Sequence, residues 1–90
     1  MNTRAHVFVS GRVQGVFFRQ RTRLQAQMNS VTGWIRNLPD GRVEAVFEGE
    51  ESAVKRLVDY CSHGPPSAFV EDVNVAYETF TGEFTNFQTR

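Results

Sequence analysis

The stretch VTGWIRNLPDGRVEAVFEG, residues 31–49, decides the fold, because it is typical of two strands joined by a tight turn. Its first seven residues have the β-branched and aromatic side chains of a strand. In LPDG, residues 38–41, proline fixes φ and Asp-Gly accepts a positive φ, as a hairpin turn requires. Residues 42–49 then alternate, which predicts a second strand that pairs back on the first. The side chains expected on its core face are Val43, Ala45 and Phe47.

A helix is expected on each side of this hairpin. Before it, residues 17–29 carry two apolar stripes at helical spacing. One stripe is Phe18, Thr22 and Ala26, and the other is Phe17, Leu24 and Met28. After it, residues 50–62 place a single wide apolar face on a helix, which HGPP at 63–66 ends. That face comprises Ala53, Val54, Leu57, Val58 and Cys61.

Further strands are expected at both ends of the chain. AHVFVS at 5–10 is apolar and β-branched, and residues 68–78 alternate except for a slip at Glu71-Asp72 that indicates a bulge. A last short strand carries Phe84 and Phe87. The order predicts a ferredoxin-like α+β sandwich, a split βαβ (βαββαβ) with two helices on one face of an antiparallel sheet. At this length, residues 1–90 are expected to form a single domain.

Composition narrows the classes of function. Ten acidic and ten basic side chains give a net charge of zero, which argues against nucleic acid or an anionic membrane as a partner. Cys61 is alone, so it forms no intramolecular disulfide, and it is expected to pack in the core. The chain has no Cys/His cluster for zinc and no apolar leader or membrane span. A cytoplasmic monomer is therefore the expectation.

Two features of the sequence are candidates for chemistry. The first is GRVQGVFFR, residues 11–19, between the first strand and the first helix. Its main-chain N–H groups and the helix terminus behind them can form an anion-binding concavity, to which Arg19 adds a guanidinium fork. The loop residues concerned are Arg12, Val13, Gln14, Gly15 and Val16. The alternative is a tight turn that uses glycine for its geometry alone.

The second candidate is Asn37, which ends a strand just before the turn. An asparagine at such a position commonly binds the local backbone. Alternatively, its carboxamide, which donates and accepts hydrogen bonds, can hold a water molecule. Glu44 and Glu48 lie between the core positions of the next strand, so we expect them on an outward polar face.

Together, the two stretches resemble the acylphosphatase family. VSGRVQGVFFR, residues 9–19, carries that family's first signature, and GWIRN, residues 33–37, followed by Gly41, Val43 and Gly49, carries its second. Ile35 departs mildly, since the family more often has a smaller residue there. The final QTR matches no C-terminal pattern. The resemblance covers nearly the whole chain and implies a ferredoxin-like fold.

The resemblance also implies an activity, namely hydrolysis of the carboxyl–phosphate bond of a small-molecule acyl phosphate. Arg19 then corresponds to the phosphate-binding arginine and Asn37 to the asparagine that orients the attacking water. Residues 12–16 correspond to the phosphate cradle, acting through main-chain N–H groups. Because a carboxylate leaves without being protonated, and the arginine and the N–H dipoles stabilise charge, no metal or cofactor is expected.

Two other functions stay open at this point. One is a module of the same fold that binds phosphate or an acyl phosphate without catalysis, although a binder needs no water-positioning amide. An RNA-binding sheet shares the topology, but residues 42–49 lack its basic-aromatic signature. The sequence does not identify which acyl phosphate is the substrate.

Overall fold

The chain passes through strand, helix, strand, strand, helix, strand and strand, the order that the sequence predicts. A computed structural model describes all residues, 1–90. The elements are β1 (Asn2–Arg12), α1 (Phe18–Met28), β2 (Thr32–Asn37), β3 (Val43–Glu50), α2 (Glu51–Cys61), β4 (Phe69–Glu78) and β5 (Phe87–Thr89). Neither helix has the length and apolar character needed to cross a lipid bilayer.

All five strands form one sheet in the order β4-β1-β3-β2-β5. β1 pairs antiparallel with β3 and β4, and β2 and β3 form the predicted hairpin, in which Asn37 lies opposite Val43. β5 is the exception, because it pairs parallel to β2 and makes the sheet mixed. The ferredoxin-like α+β fold is confirmed, with β5 added at the β2 edge.

The predicted bulge is also present. Ser10 of β1 lies opposite Asp72, whereas the next residue, Gly11, lies opposite Val70, which leaves Glu71 without a partner. The extra residue accounts for the slip in the alternation of β4.

The core lies between the sheet and the two helices. Of the two stripes on α1, the one with Phe18, Thr22 and Ala26 is buried. The other stripe is exposed and comprises Phe17, Leu24 and Met28. α2 packs with the predicted apolar face, and its Cys61 is fully buried, which raises the pKa of the thiol to about 12.

The prediction of an outward polar face on β3 was wrong. Glu48 is 0% exposed and Glu44 is 6% exposed, although both lie on the sheet face opposite the helices. Glu48 is covered because β4 and β5 occupy opposite edges of the sheet, and residues 79–86, which connect them, pass over this face. Glu44 is flanked instead by the side chains of His6 and Arg36. We call residues 79–86 the crossing segment. The Glu48 carboxylate accepts hydrogen bonds from the main-chain N–H groups of Thr81 (2.9 Å) and Gly82 (3.1 Å) in this segment.

Candidate active site

The loop between β1 and α1 is shaped by side chains that point into the core. Val13 and Val16 are 1% and 6% exposed, and Gly15 between them has a φ of +73° with no atom near the position of a Cβ. Residues 13–17 donate no main-chain N–H to any main-chain carbonyl. The buried valines thus hold a short loop whose main-chain N–H groups have no partner in the protein, as an anion-binding concavity would require.

Gly11, the first residue of the candidate stretch 11–19, has a structural role. It belongs to β1, and a Cβ there would lie 2.3 Å from the main-chain oxygen of Phe69 in β4. Glycine is therefore required for the close approach of two strands at the bulge, and Gly15 alone provides conformational freedom in the loop.

Phe17, which joins the loop to α1, adopts a strained backbone conformation. Its φ of 64° and ψ of 20° are left-handed, and no side chain caps the helix there. For a bulky residue this conformation costs about 1–3 kcal/mol and is found mostly at functional sites. The residue is 68% exposed. Sequence analysis treated Phe17 only as one member of an apolar stripe.

Arg19 lies in the first turn of α1, as predicted, and its guanidinium is held from the far end of the chain. Its Nη1 donates a hydrogen bond to the main-chain oxygen of Arg90 at 3.2 Å. Arg90 is placed by its own main-chain N–H, which donates to Ile35 of β2 at 2.8 Å. Arg90, in the C-terminal stretch that matched no sequence pattern, thus orients the guanidinium of Arg19, which is the side chain predicted to bind phosphate.

Asn37 lies at the end of β2 and does not close the hairpin turn. The turn is closed by Leu38, whose N–H donates to Arg42 at 2.8 Å, and by Asp40, whose carboxylate accepts the N–H of Arg42 at 3.1 Å. The hydrogen bonds that the main chain and the side chain of Arg42 donate to the Asp40 carboxylate hold its pKa below the usual value. The Asn37 carboxamide oxygen is buried and accepts no hydrogen bond from the protein. Since buried polar atoms are rarely left unpaired, this oxygen is available to a ligand or water.

Gln14 joins the loop to the hairpin, a contact that sequence analysis missed. Its side-chain Nε2 donates to the main-chain oxygens of Leu38 (2.8 Å) and Arg42 (2.9 Å). Both acceptors lie just beyond Asn37. Gln14 therefore connects the segment that carries the free N–H groups to the segment that carries the unpaired carboxamide.

These parts meet at one cavity of about 400 Å³. The residues that line it are Val13, Gly15, Phe17, Phe18, Arg19, Gln20, Asn37 and Thr89. The structure thus brings Arg19 and Asn37 together with two of the five predicted loop residues, whereas Arg12, Gln14 and Val16 do not line the cavity. Arg19 is its only charged residue, so the cavity favours an anion.

No group of three His, Cys, Asp or Glu side chains is placed to hold a metal ion. His6, for example, lies on the far face of the sheet, where its ring contacts Glu44 at 2.6 Å and Glu78 at 3.3 Å. Hydrolysis without a metal stays a prediction.

Comparison with known sequences identifies the family. The family model described as Acylphosphatase matches residues 5–89. An acylphosphatase of Gloeobacter violaceus is 61% identical over 85 residues, which covers 94% of this chain and 90% of the relative.

Solved structures agree with the sequence comparison. An acylphosphatase from Coxiella burnetii superposes with a TM-score of 0.93 at 40% identity, covering 99% of this chain and 93% of that one. The acylphosphatase from Bacillus subtilis also gives 0.93, at 33% identity, with 100% and 99% covered. The resemblance noted in the sequence is therefore confirmed, and the chain belongs to the acylphosphatase family.

Proposed function

We propose that the protein hydrolyses the carboxyl–phosphate bond of acyl phosphates and releases a carboxylate and inorganic phosphate. One observation carries the proposal: Asn37, whose carboxamide oxygen has no hydrogen-bond partner in the protein, lines the same cavity as Arg19 and the β1–α1 loop. Relatives named acylphosphatase, at 53–64% identity, support an enzyme rather than a phosphate-binding module without catalysis.

The phosphoryl group binds to the loop in this proposal. The free N–H groups of residues 13–17 and the start of α1 direct partial positive charge at one point. Arg19 adds a fixed charge, and its bond to Arg90 uses only one of its five N–H donors. Phosphoryl transfer depends mainly on positioning and on stabilising charge on the equatorial oxygens, which these donors provide.

Asn37 positions the nucleophile. Its carboxamide oxygen accepts a hydrogen bond from a water molecule and holds it in line with the scissile bond. An amide is no base at neutral pH, so the water keeps its protons until late in the reaction. A bond then forms from the water oxygen to phosphorus while the bond to the acyl oxygen breaks.

No general acid is required for the leaving group. The electron pair of the broken bond leaves on a carboxylate, which is stable without a proton at neutral pH. The proton of the water passes to the phosphate product or to solvent. This chemistry agrees with a cavity whose lining contains no His, Asp or Glu.

The test is hydrolysis of benzoyl phosphate, with EDTA present, by the wild type and by Arg19→Gln. The wild type should be active, and Arg19→Gln should lose on the order of 100- to 1,000-fold in kcat/KM, or about 3 kcal/mol. Arg23→Gln is the matched control, because Arg23 is exposed on the same helix and does not line the cavity. An inactive wild type would contradict the function, and activity abolished only by EDTA would contradict the metal-free mechanism.

We further propose that the protein acts as a monomer in the cytoplasm on small-molecule acyl phosphates, without a nucleic-acid partner. The last point is supported by the sheet, since RNA-recognition domains of this topology bind bases on the face opposite the helices. Here residues 79–86 pass over that face at Glu48, whose buried carboxylate accepts hydrogen bonds from Thr81 and Gly82, so the face is not open to stacked bases there.

A further inference from the structure

We infer that the ring of Phe17 is the binding surface for the acyl group and that it favours acyl phosphates with an aromatic or large apolar acyl group. The inference rests on the proposed function. It concerns the acyl group of the substrate. In the proposed reaction the loop, Arg19 and Asn37 bind the phosphoryl group and the water, and none of them binds the acyl group.

Phe17 is far more exposed to solvent than the other apolar residues that line the cavity. Three apolar side chains line the cavity, and two of them, Val13 and Phe18, are only 1% exposed and belong to the core. Phe17 is 68% exposed. It is the one apolar lining residue with enough free surface for a ligand to cover, and covering an aromatic ring removes apolar area from water.

The backbone at Phe17 indicates a functional reason for the residue. Leu24 and Met28 share its exposed stripe, but they lie inside α1 and do not line the cavity. Of the three residues in this stripe, Phe17 alone has a positive φ, of 64°, where asparagine or glycine would fit with less strain. A strained, exposed aromatic residue contributes little to folding, so a contact with substrate explains it better.

The size of the cavity leaves room for an acyl group beside the phosphate. A phosphoryl group with its bridging oxygen and one water contains six non-hydrogen atoms. At about 30 Å³ each, the share of a water molecule in the liquid, these atoms occupy less than half of the cavity volume of about 400 Å³. The remaining space is bordered by Phe17, which lies two residues before Arg19 along the chain.

The experiment compares kcat/KM for benzoyl phosphate and acetyl phosphate in the wild type and in Phe17→Asn, which tolerates a positive φ but lacks the ring. The benzoyl-to-acetyl ratio should fall about three- to tenfold, the amount typical of an aromatic contact. Phe17→Tyr keeps the ring and should keep the ratio. Leu24→Ala, the matched control, removes an exposed apolar side chain of the same helix outside the cavity and should also leave the ratio unchanged.

The outcomes separate the two proposals. If the wild type hydrolyses both substrates and the ratio is the same in Phe17→Asn, the acyl-binding role is overturned while the proposed function stands. If the wild type hydrolyses neither, the proposed function itself fails. Should Phe17→Asn not fold, Phe17→Gly relieves the same strain and must show the same fall in the ratio. Competitive inhibition by inorganic phosphate, which has no acyl group, should stay as in the wild type.

Discussion

At the scale of single residues, Asn37 shows a conflict between stability and function. Leaving its carboxamide oxygen buried and unpaired costs the folded protein about 1–3 kcal/mol of desolvation. The hairpin turn does not need this side chain, since Asp40 and Leu38 close it. In the proposed reaction, the bound water or substrate supplies the missing hydrogen bond, which would explain the cost.

Asn37→Ala should consequently lose activity without losing stability. We expect kcat to fall by on the order of 100-fold or more, as when an oriented polar group is removed from an active site. The inhibition constant of inorganic phosphate should stay near the wild-type value, because the loop and Arg19 still bind it. Urea unfolding should give a free energy equal to that of the wild type or up to about 1 kcal/mol higher. A variant that loses stability and phosphate affinity together would contradict this role.

At the scale of elements, Gln14 fixes the β1–α1 loop against the β2–β3 hairpin. Its two hydrogen bonds reach the main-chain oxygens at the base of the turn that follows Asn37. Neither segment carries the site alone, because one holds the N–H donors and the other the carboxamide. A small shift between them would misplace the water relative to the phosphorus.

Gln14→Glu tests this connection, because it keeps the shape of the side chain and replaces both N–H donors with an anion facing two carbonyl oxygens. We expect the free energy of unfolding to fall by about 1–3 kcal/mol and kcat to fall more than phosphate affinity. Gln27→Glu introduces the same charge at an exposed position of α1 and serves as the control. Wild-type stability and kcat in Gln14→Glu would show that the connection has no role.

Local patterns explain which elements the sequence could predict. Three of the predicted features depend on neighbours within a few residues along the chain. They are the LPDG turn, the alternation of β3, and the helical stripe of Phe18, Thr22 and Ala26. The contacts that sequence analysis missed join distant segments: Gln14 binds residues 24 and 28 positions away, and Arg19 binds Arg90, 71 positions away. No local period records such contacts. The sequence therefore indicated Arg19 and Asn37 as candidates, with roles taken from the family resemblance, but it did not reveal the residues that hold them in place.

At the scale of the whole molecule, one buried carboxylate, that of Glu48, holds the crossing segment against the sheet. Glu48 accepts hydrogen bonds from Thr81 and Gly82 of that segment and from Arg4 of β1, at 3.1 Å for Arg4 Nη1. Burial by itself would raise the pKa of Glu48, but these hydrogen bonds outweigh it and hold the pKa below its usual value. Glu44, bound by His6 and Arg36, has a lowered pKa in the same way. Ionised Glu48 thus joins β1 and the crossing segment to β3, and ionised Glu44 joins β1 and β2 to β3.

The fold should therefore lose stability in acid. Because the folded pKa of Glu48 lies below that of the unfolded chain, about 4.3, its contribution is complete above that pH and is lost as the pH falls through the folded pKa. Glu48→Gln should lower the free energy of unfolding at neutral pH by about 1.5–3 kcal/mol and should flatten its decline in acid, leaving the part due to Glu44. Urea unfolding between pH 7 and about pH 3 measures both effects. Glu71→Gln, at the exposed bulge, is the control; if Glu48→Gln followed the same pH curve as this control, the carboxylate would not be what holds the crossing segment in place.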